Sequence, residues 1–345
     1  MSDDERAAWV RQRVANKDPE SLFLDYKAQV PPPGDNESIA KDLCAFANMS
    51  GGAVIYGIPE DSKDPGKPAA DFGIPSEPGF EERLACIAVD SIMPPLPGLD
   101  PRWVPLPDKG EGKGVFIAYQ PESYDAPHMV IRGKDFRYYR RCASTNQALP
   151  MTEREVRDLY ERKLRLREAA RHFVEHAEYG DYNLSRPPDP TNYLLRFALC
   201  PLLCREGLFQ PERARDWLQR HPTIDEGGPQ WRPFFGGAEE QGGALFVSRL
   251  WRNGAFTLVS AEQKDREPGS SGSEEPRFVH LLDVVKRAKN FAVFASAFYR
   301  EHPAGSAYLF RLSLEKITGT GLLLGGIADH YPRATDHVPE MVEMV

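Results

Sequence analysis

The sequence is poor in the residues that most metal and redox centres need, with only 5 cysteines and 8 histidines in 345 residues. Cys44, Cys86, Cys142, Cys200 and Cys204 are scattered, and none stands in a Cys-x-x-Cys pair with matching Cys or His spacing. That leaves buried free thiols in a reducing compartment, with the Cys200-Pro-Leu-Leu-Cys204 run packed on an apolar, helix-like segment. The histidines are dispersed; His128 and His280 read as structural residues, and no serine or cysteine triad can be assembled by spacing. Also missing is a Gly-x-x-x-x-Gly-Lys-Ser/Thr loop. Without its lysine and hydroxyl, ATP is not an expected cofactor, and Gly51-Gly52 reads as a tight turn. No apolar run approaches the roughly 20 residues that span a bilayer, and Met-Ser-Asp-Asp-Glu-Arg is no basic leader. A cytoplasmic protein with no membrane partner is expected. Finally, cations are in deficit: 43 Lys and Arg face 51 Asp and Glu, a net charge of −8. A polyanion cannot be held by the surface as a whole, so any nucleic-acid site must be a local basic patch.

What is present suggests two domains, 1–178 and 191–345, with the Gly- and Pro-containing stretch 179–190 as linker. In the first half, a helix over 4–16 leads to a strand over 22–27. A helix capped by Asn36 or Ser38 runs to Asn48, and a strand follows over 53–58. A surface loop is expected from Pro59 to Pro78, then a helix over 79–92 and strands over 103–106, 114–120, 129–131 and 136–140. Thr152 and Glu155 form a capping box that opens a long charged helix. In the second half, strands over 244–250 and 255–260 flank Asn253-Gly254, a strong hairpin signal. Residues 262–276 read as a loop, 278–299 as a helix, and 307–317 with 322–327 as strands completing a small antiparallel sheet. The fold class is α+β in both domains.

The densest chemistry lies between Glu20 and Ile58. Strand periodicity over 22–27 sets Phe23, Asp25 and Lys27 on one face, and Leu22, Leu24 and Tyr26 on the other. An acid and a cation thus sit side by side. Carboxylates grouped at a strand end suit a divalent cation, and Glu20 and Asp25 with Glu60 or Asp61 could form such a trio. An alternative is that the acids are solvated and Lys27 merely neutralises Asp25. Downstream, Arg132-Gly-Lys134-Asp-Phe136-Arg137-Tyr138-Tyr139-Arg140-Arg141 sets five cations against one acid and interleaves aromatics. Its cations suit phosphates and its tyrosines suit stacking. On a strand, Arg137, Tyr139 and Arg141 share one face and Tyr138 and Arg140 the other, so one set alone can reach a ligand.

Four ordered motifs, Glu20…Asp25-x-Lys27, Ala45-Phe46-Ala47-Asn48, Gly51-Gly52…Gly57-Ile58 and Tyr138-Tyr139-Arg140 with its polar turn, resemble the Schlafen core. This is the AlbA-type DNA-binding domain of bacterial proteins and vertebrate Schlafens. The resemblance covers about the first 160 residues, and Asp25 stands where the family usually has Glu. It implies a two-lobed sheet-and-helix domain. It also implies a metal-dependent (Mg²⁺ or Mn²⁺) endoribonuclease acting on structured RNA such as tRNA. Glu20, Asp25, Lys27 and Glu60 would be catalytic, with Glu20, Asp25, Glu60 and Asp61 as metal ligands. Lys27, Arg132, Lys134, Arg137, Tyr139, Arg140 and Arg141 would bind nucleic acid, RNA ahead of DNA. The other reading is a non-catalytic DNA- or RNA-binding regulator whose second domain senses a ligand or forms a homo-oligomer. A scaffold with lysine-paired acids is a third.

Overall fold

The computed structural model describes residues 2–132, 136–176, 192–203, 215–221, 231–234, 237–242, 246–263, 265–266, 277–301, 307–315 and 321–323. The chain divides into two compact units, Met1–Leu164 and Arg165–Val345. The division falls within a helix; the expected linker, 179–190, lies outside the described residues.

The elements of the first unit are α1 (Asp3–Ala15), β1 (Leu24–Lys27), α2 (Asn36–Ala47), β2 (Gly52–Tyr56), β3 (Glu60–Asp61), β4 (Asp64–Pro68), β5 (Ile74–Pro75), α3 (Phe80–Asp90), β6 (Ile92–Met93), β7 (Asp100–Pro105), β8 (Lys113–Gln120), β9 (Met129–Val130), β10 (Arg137–Arg141), β11 (Ala148–Pro150) and the start of α4 (Glu153–His176). Ser2 and Glu5 close a capping box on α1. Its Ala7, Val10 and Val14, spaced three and four apart, form the buried stripe. On α2 the cap is Asp35, whose side chain accepts from the Ser38 amide; it stands one residue before the expected Asn36 and three before Ser38.

One sheet runs β1-β2-β8-β5, with β7 also on β8. The pair β1–β2 is parallel and the other pairs are antiparallel. A second sheet runs β11-β10-β9-β6. The first sheet buries both faces. Leu24, Tyr26, Ala53 and Ile55 pack with α1, while Val54, Tyr56 and Phe116 join α2, α3, Val130 and Tyr139 in the larger core. The two-lobed sheet-and-helix arrangement follows. The turn from α2 to β2 needs both of its glycines. Gly51 has φ +75°, and a Cβ on Gly52 would stand 2.3 Å from the Phe46 ring. The Pro59–Pro78 stretch, expected as loop, carries the β3–β4 hairpin and β5. Its proline and aspartate content masked these two- to five-residue strands.

The second unit contains β12 (Asn192–Pro201), α5 (Arg215–Arg220), β13 (Trp231–Phe234), β14 (Gly237–Gly242), β15 (Phe246–Trp251), β16 (Phe256–Gln263), β17 (Asp265–Arg266), β18 (Arg277–His280), α6 (Leu281–Glu301), β19 (Tyr308–Glu315) and β20 (Gly321–Leu323). Six strands form one sheet, β13-β14-β15-β16-β12-β19, antiparallel throughout. The β15–β16 hairpin turns at Asn253-Gly254 as expected; the Asn253 carboxamide accepts from Ala255 N and Gly254 has φ 84°. Phe291, Phe294 and Phe298 of α6 pack in one core with Phe197 and Phe256.

Two expectations need correction. The apolar run ending at Cys200 is strand, not helix, because a strand buried on both faces shows no alternation. Cys204 lies outside the described residues. Strand β20 pairs in parallel with β18 in a separate sheet, so it does not complete the antiparallel one. Cys44 and Cys200 are buried as expected, whereas Cys86 is exposed and Cys142 partly so.

Candidate functional site

The acid motif and the basic segment meet at Asp25, which is 2% exposed on edge strand β1. Both of its oxygens accept from Lys27 Nζ at 3.0 Å. Its Oδ2 also accepts at 3.0 Å from Arg141, the last residue of β10 in the second sheet. The Arg141 side chain is itself fully buried: its other amino group donates to the Ser21 carbonyl, and its guanidinium lies 4.7 Å from the Phe46 ring centroid. Removing one partner of a buried pair like this leaves an uncompensated charge in a poor solvent.

Two further acids complete the cluster. Asp42, on the buried face of α2, places Oδ2 3.8 Å from Lys27 Nζ. The half-buried Glu20 accepts from the Tyr26 amide at 3.0 Å and shares a side-chain hydrogen bond with Asp25. Burial, then the hydrogen bond and charge of Asp25, push Glu20 up to about 7 against the pull of the Tyr26 amide and Lys27. Burial and Asp25 likewise raise Asp42 to about 6, against Lys27 and Arg141. Burial alone would lower Lys27, but Asp42 and Asp25 more than reverse it and hold the ammonium charged.

Asn48 fixes this geometry from behind. As the C-cap of α2 it donates to the carbonyls of His128 and Tyr139, both at 2.9 Å, and accepts from the His128 amide at 2.6 Å. One side chain therefore ties α2 to the entry of β9 and to β10. His128 is buried and structural, with Nδ1 2.7 Å from the Pro94 carbonyl; burial depresses its pKa.

The remaining sequence candidates separate. The Glu60 carboxylate accepts from the Gly66 amide and Asp61 pairs with Lys17 at 3.1 Å, so neither is gathered onto Asp25. The carboxylate beside Lys27 is Asp42, which the sequence reading missed. Tyr139 and Arg141 face the core, which corrects their expected role as direct contacts: a bound polyanion cannot reach them. Arg140 Nε pairs with Glu155 Oε1 at 2.5 Å. Arg132 donates to Ser91 Oγ at 3.2 Å, and Lys134 lies outside the described residues. Arg137 is exposed, and so is Phe136, which precedes it in sequence.

The arrangement does not fit the divalent ion that the family resemblance implies. Asp25 already carries two cations, and Glu60 and Asp61 are committed elsewhere. As the side chains stand, no group of three or more His, Cys, Asp or Glu among the described residues could hold a metal ion.

Structurally, the chain is similar to the N-terminal domain of a RecG-related protein from Nitrosomonas europaea. The identity is 20%, covering 43% of this chain and 95% of that one, with a TM-score of 0.29. It is also similar to the DIP2311 protein from Corynebacterium diphtheriae, at 19% identity over 45% of this chain and 28% of that one, TM-score 0.29. No curated protein matches the chain. Among the described residues no helix is long and apolar enough to cross a membrane. Residues 20–150 match the family described as Schlafen, AlbA_2, a family that suggests nucleic-acid binding.

Proposed function

We propose that the first unit binds the phosphate backbone of a nucleic acid, RNA ahead of DNA, along the edge where β1 and β10 meet. The observation that carries this reading is the contact between Arg141 and Asp25, 116 residues apart in sequence, which joins the acid motif and the basic segment into one site. Lys27 is the cation left partly open there, with 37% of its side chain exposed. Two of its N–H groups serve Asp25, and at 3.8 Å Asp42 lies beyond hydrogen-bond reach of the third, which is free to meet a phosphate oxygen. Arg137 sits four residues from Arg141, about 13 Å along the strand. It offers a second cation next in sequence to the exposed Phe136, a combination suited to a phosphate and an unstacked base.

A second reading, cleavage of structured RNA such as tRNA, is favoured by Glu20. A carboxyl that titrates near neutrality beside an ammonium has the pKa of a general acid–base group. The test is incubation of the full chain with total RNA and with duplex DNA, in Mn²⁺ and in chelator, following retention and fragment length together. Retention without fragments supports the regulator reading. Fragments lost in Glu20→Gln support catalysis. No retention of either polymer refutes the proposal.

A further inference from the structure

The misfit between the carboxylates and a divalent ion has a structural cause. The Lys27 ammonium stands 3.0 Å from both oxygens of Asp25 and 3.8 Å from Asp42, and Asp25 is in turn hydrogen-bonded to Glu20. A cation therefore already occupies the ground between acids from three places: the residues before β1, β1 itself and α2. It is held there by the chain: Lys27 is one end of β1, its carbonyl accepts from the amides of Gly57 and Ile58, and its strand is in register with β2. On the far side of Asp25, Arg141 donates to the Ser21 carbonyl and lies 4.7 Å from the Phe46 ring centroid. A divalent ion binding Asp25 would have to evict Lys27 from between these acids. Hard cations take six or more oxygen ligands and hold their waters tightly, so this exchange is unfavourable.

We propose that Lys27 is a resident cation standing in the place of a divalent metal among Glu20, Asp25 and Asp42, and that the site meets a phosphodiester through this ammonium without metal. The second half of this inference rests on the nucleic-acid reading above; the first does not.

Two measurements on the full chain test it. In the first, Mn²⁺ is titrated and free ion is read by its electron paramagnetic resonance signal. Wild type and Lys27→Arg should leave the signal unchanged at millimolar Mn²⁺. Lys27→Ala should take up one ion per chain, and Lys27→Ala with Asp25→Asn should lose it again. Uptake by wild type that disappears in Asp25→Asn would overturn the proposal, and so would silence in folded Lys27→Ala. Circular dichroism reports the folding of each variant. In the second, affinity for single-stranded RNA should be equal in chelator and in Mn²⁺, and a requirement for Mn²⁺ overturns the inference. Absence of affinity in both conditions refutes the nucleic-acid reading instead, while the Mn²⁺ titration still decides the occupancy of the site.

Discussion

The carboxamide of Asn48 and the backbone of His128 clasp each other in both directions: Asn48 Nδ2 donates to the His128 carbonyl while Asn48 Oδ1 accepts the His128 N–H. A third bond to the Tyr139 carbonyl extends the clasp to β10. With Asn48 wholly buried, none of these backbone groups has water as a substitute.

Asn48→Ala should therefore destabilise the first unit by about 2–4 kcal/mol, since buried groups left unpaired cost about 1–3 kcal/mol each and partial relaxation recovers some of it. A urea melt reads the change. A loss below about 1 kcal/mol would mean that the clasp is dispensable.

Arg141→Ala should destabilise by about 3–5 kcal/mol, because Asp25 then stays buried with Lys27 as its sole cation. Adding Asp25→Asn to Arg141→Ala should restore part of the loss. Strict additivity in this double-mutant cycle would show that the two side chains do not interact.

The pH dependence turns on Glu20. It titrates at the ordinary 4.5 when unfolded and at about 7 when folded. Between these values the folded chain keeps a proton that the unfolded chain has released. The corresponding stability is complete below about 4.5 and lost as pH rises through 7. Glu20→Gln removes this loss. Its urea midpoint should match wild type near pH 4 and exceed it near pH 8; an offset constant across that range would contradict the raised pKa.

Binding should weaken through salt-sensitive contacts at Lys27 and Arg137 but not at Arg141. For single-stranded RNA each lost phosphate contact flattens the log–log salt dependence by roughly 0.7. Lys27→Ala with Arg137→Ala should remove about 1.4 units of slope by this rule. An unchanged slope in a fluorescence titration places the nucleic acid elsewhere.

A fragment that ends after α4 should fold alone, whereas one that ends at residue 150 should not. The first half of α4 is fastened to the first unit by the Tyr138–Tyr160 hydrogen bond and by the ion pairs Arg162–Glu122 and Lys163–Asp125. Circular dichroism and solubility of the two fragments decide the point.

Much of this arrangement was legible in the sequence. The Thr152–Glu155 capping box, the Asn253-Gly254 hairpin and the diglycine turn are local chemistry, and each forms where its residues stand. Asp25 and Lys27 side by side were read from strand periodicity alone. Asp42 was missed although it carries a signal: it sits three residues after Ile39 and four before Phe46, a core position by helical spacing occupied by an acid. A charged residue there needs a buried partner. The burial of Arg141 was not legible, because alternation pairs it with Arg137 and Tyr139 but cannot say which end of the strand sinks into the core. The placement of Glu60 and Asp61 depends on the β3–β4 hairpin, whose short strands leave too little pattern to read.

The bond from Arg141 to Asp25 also dates the site within folding. Closing a loop of 116 residues carries an entropic cost that nearby contacts do not, so contacts of this separation form after local helices and hairpins. In synthesis the bond cannot form until Arg141 has left the ribosome, well after β1 and α2. Asp25 therefore gains its second cation only once β10 has been made.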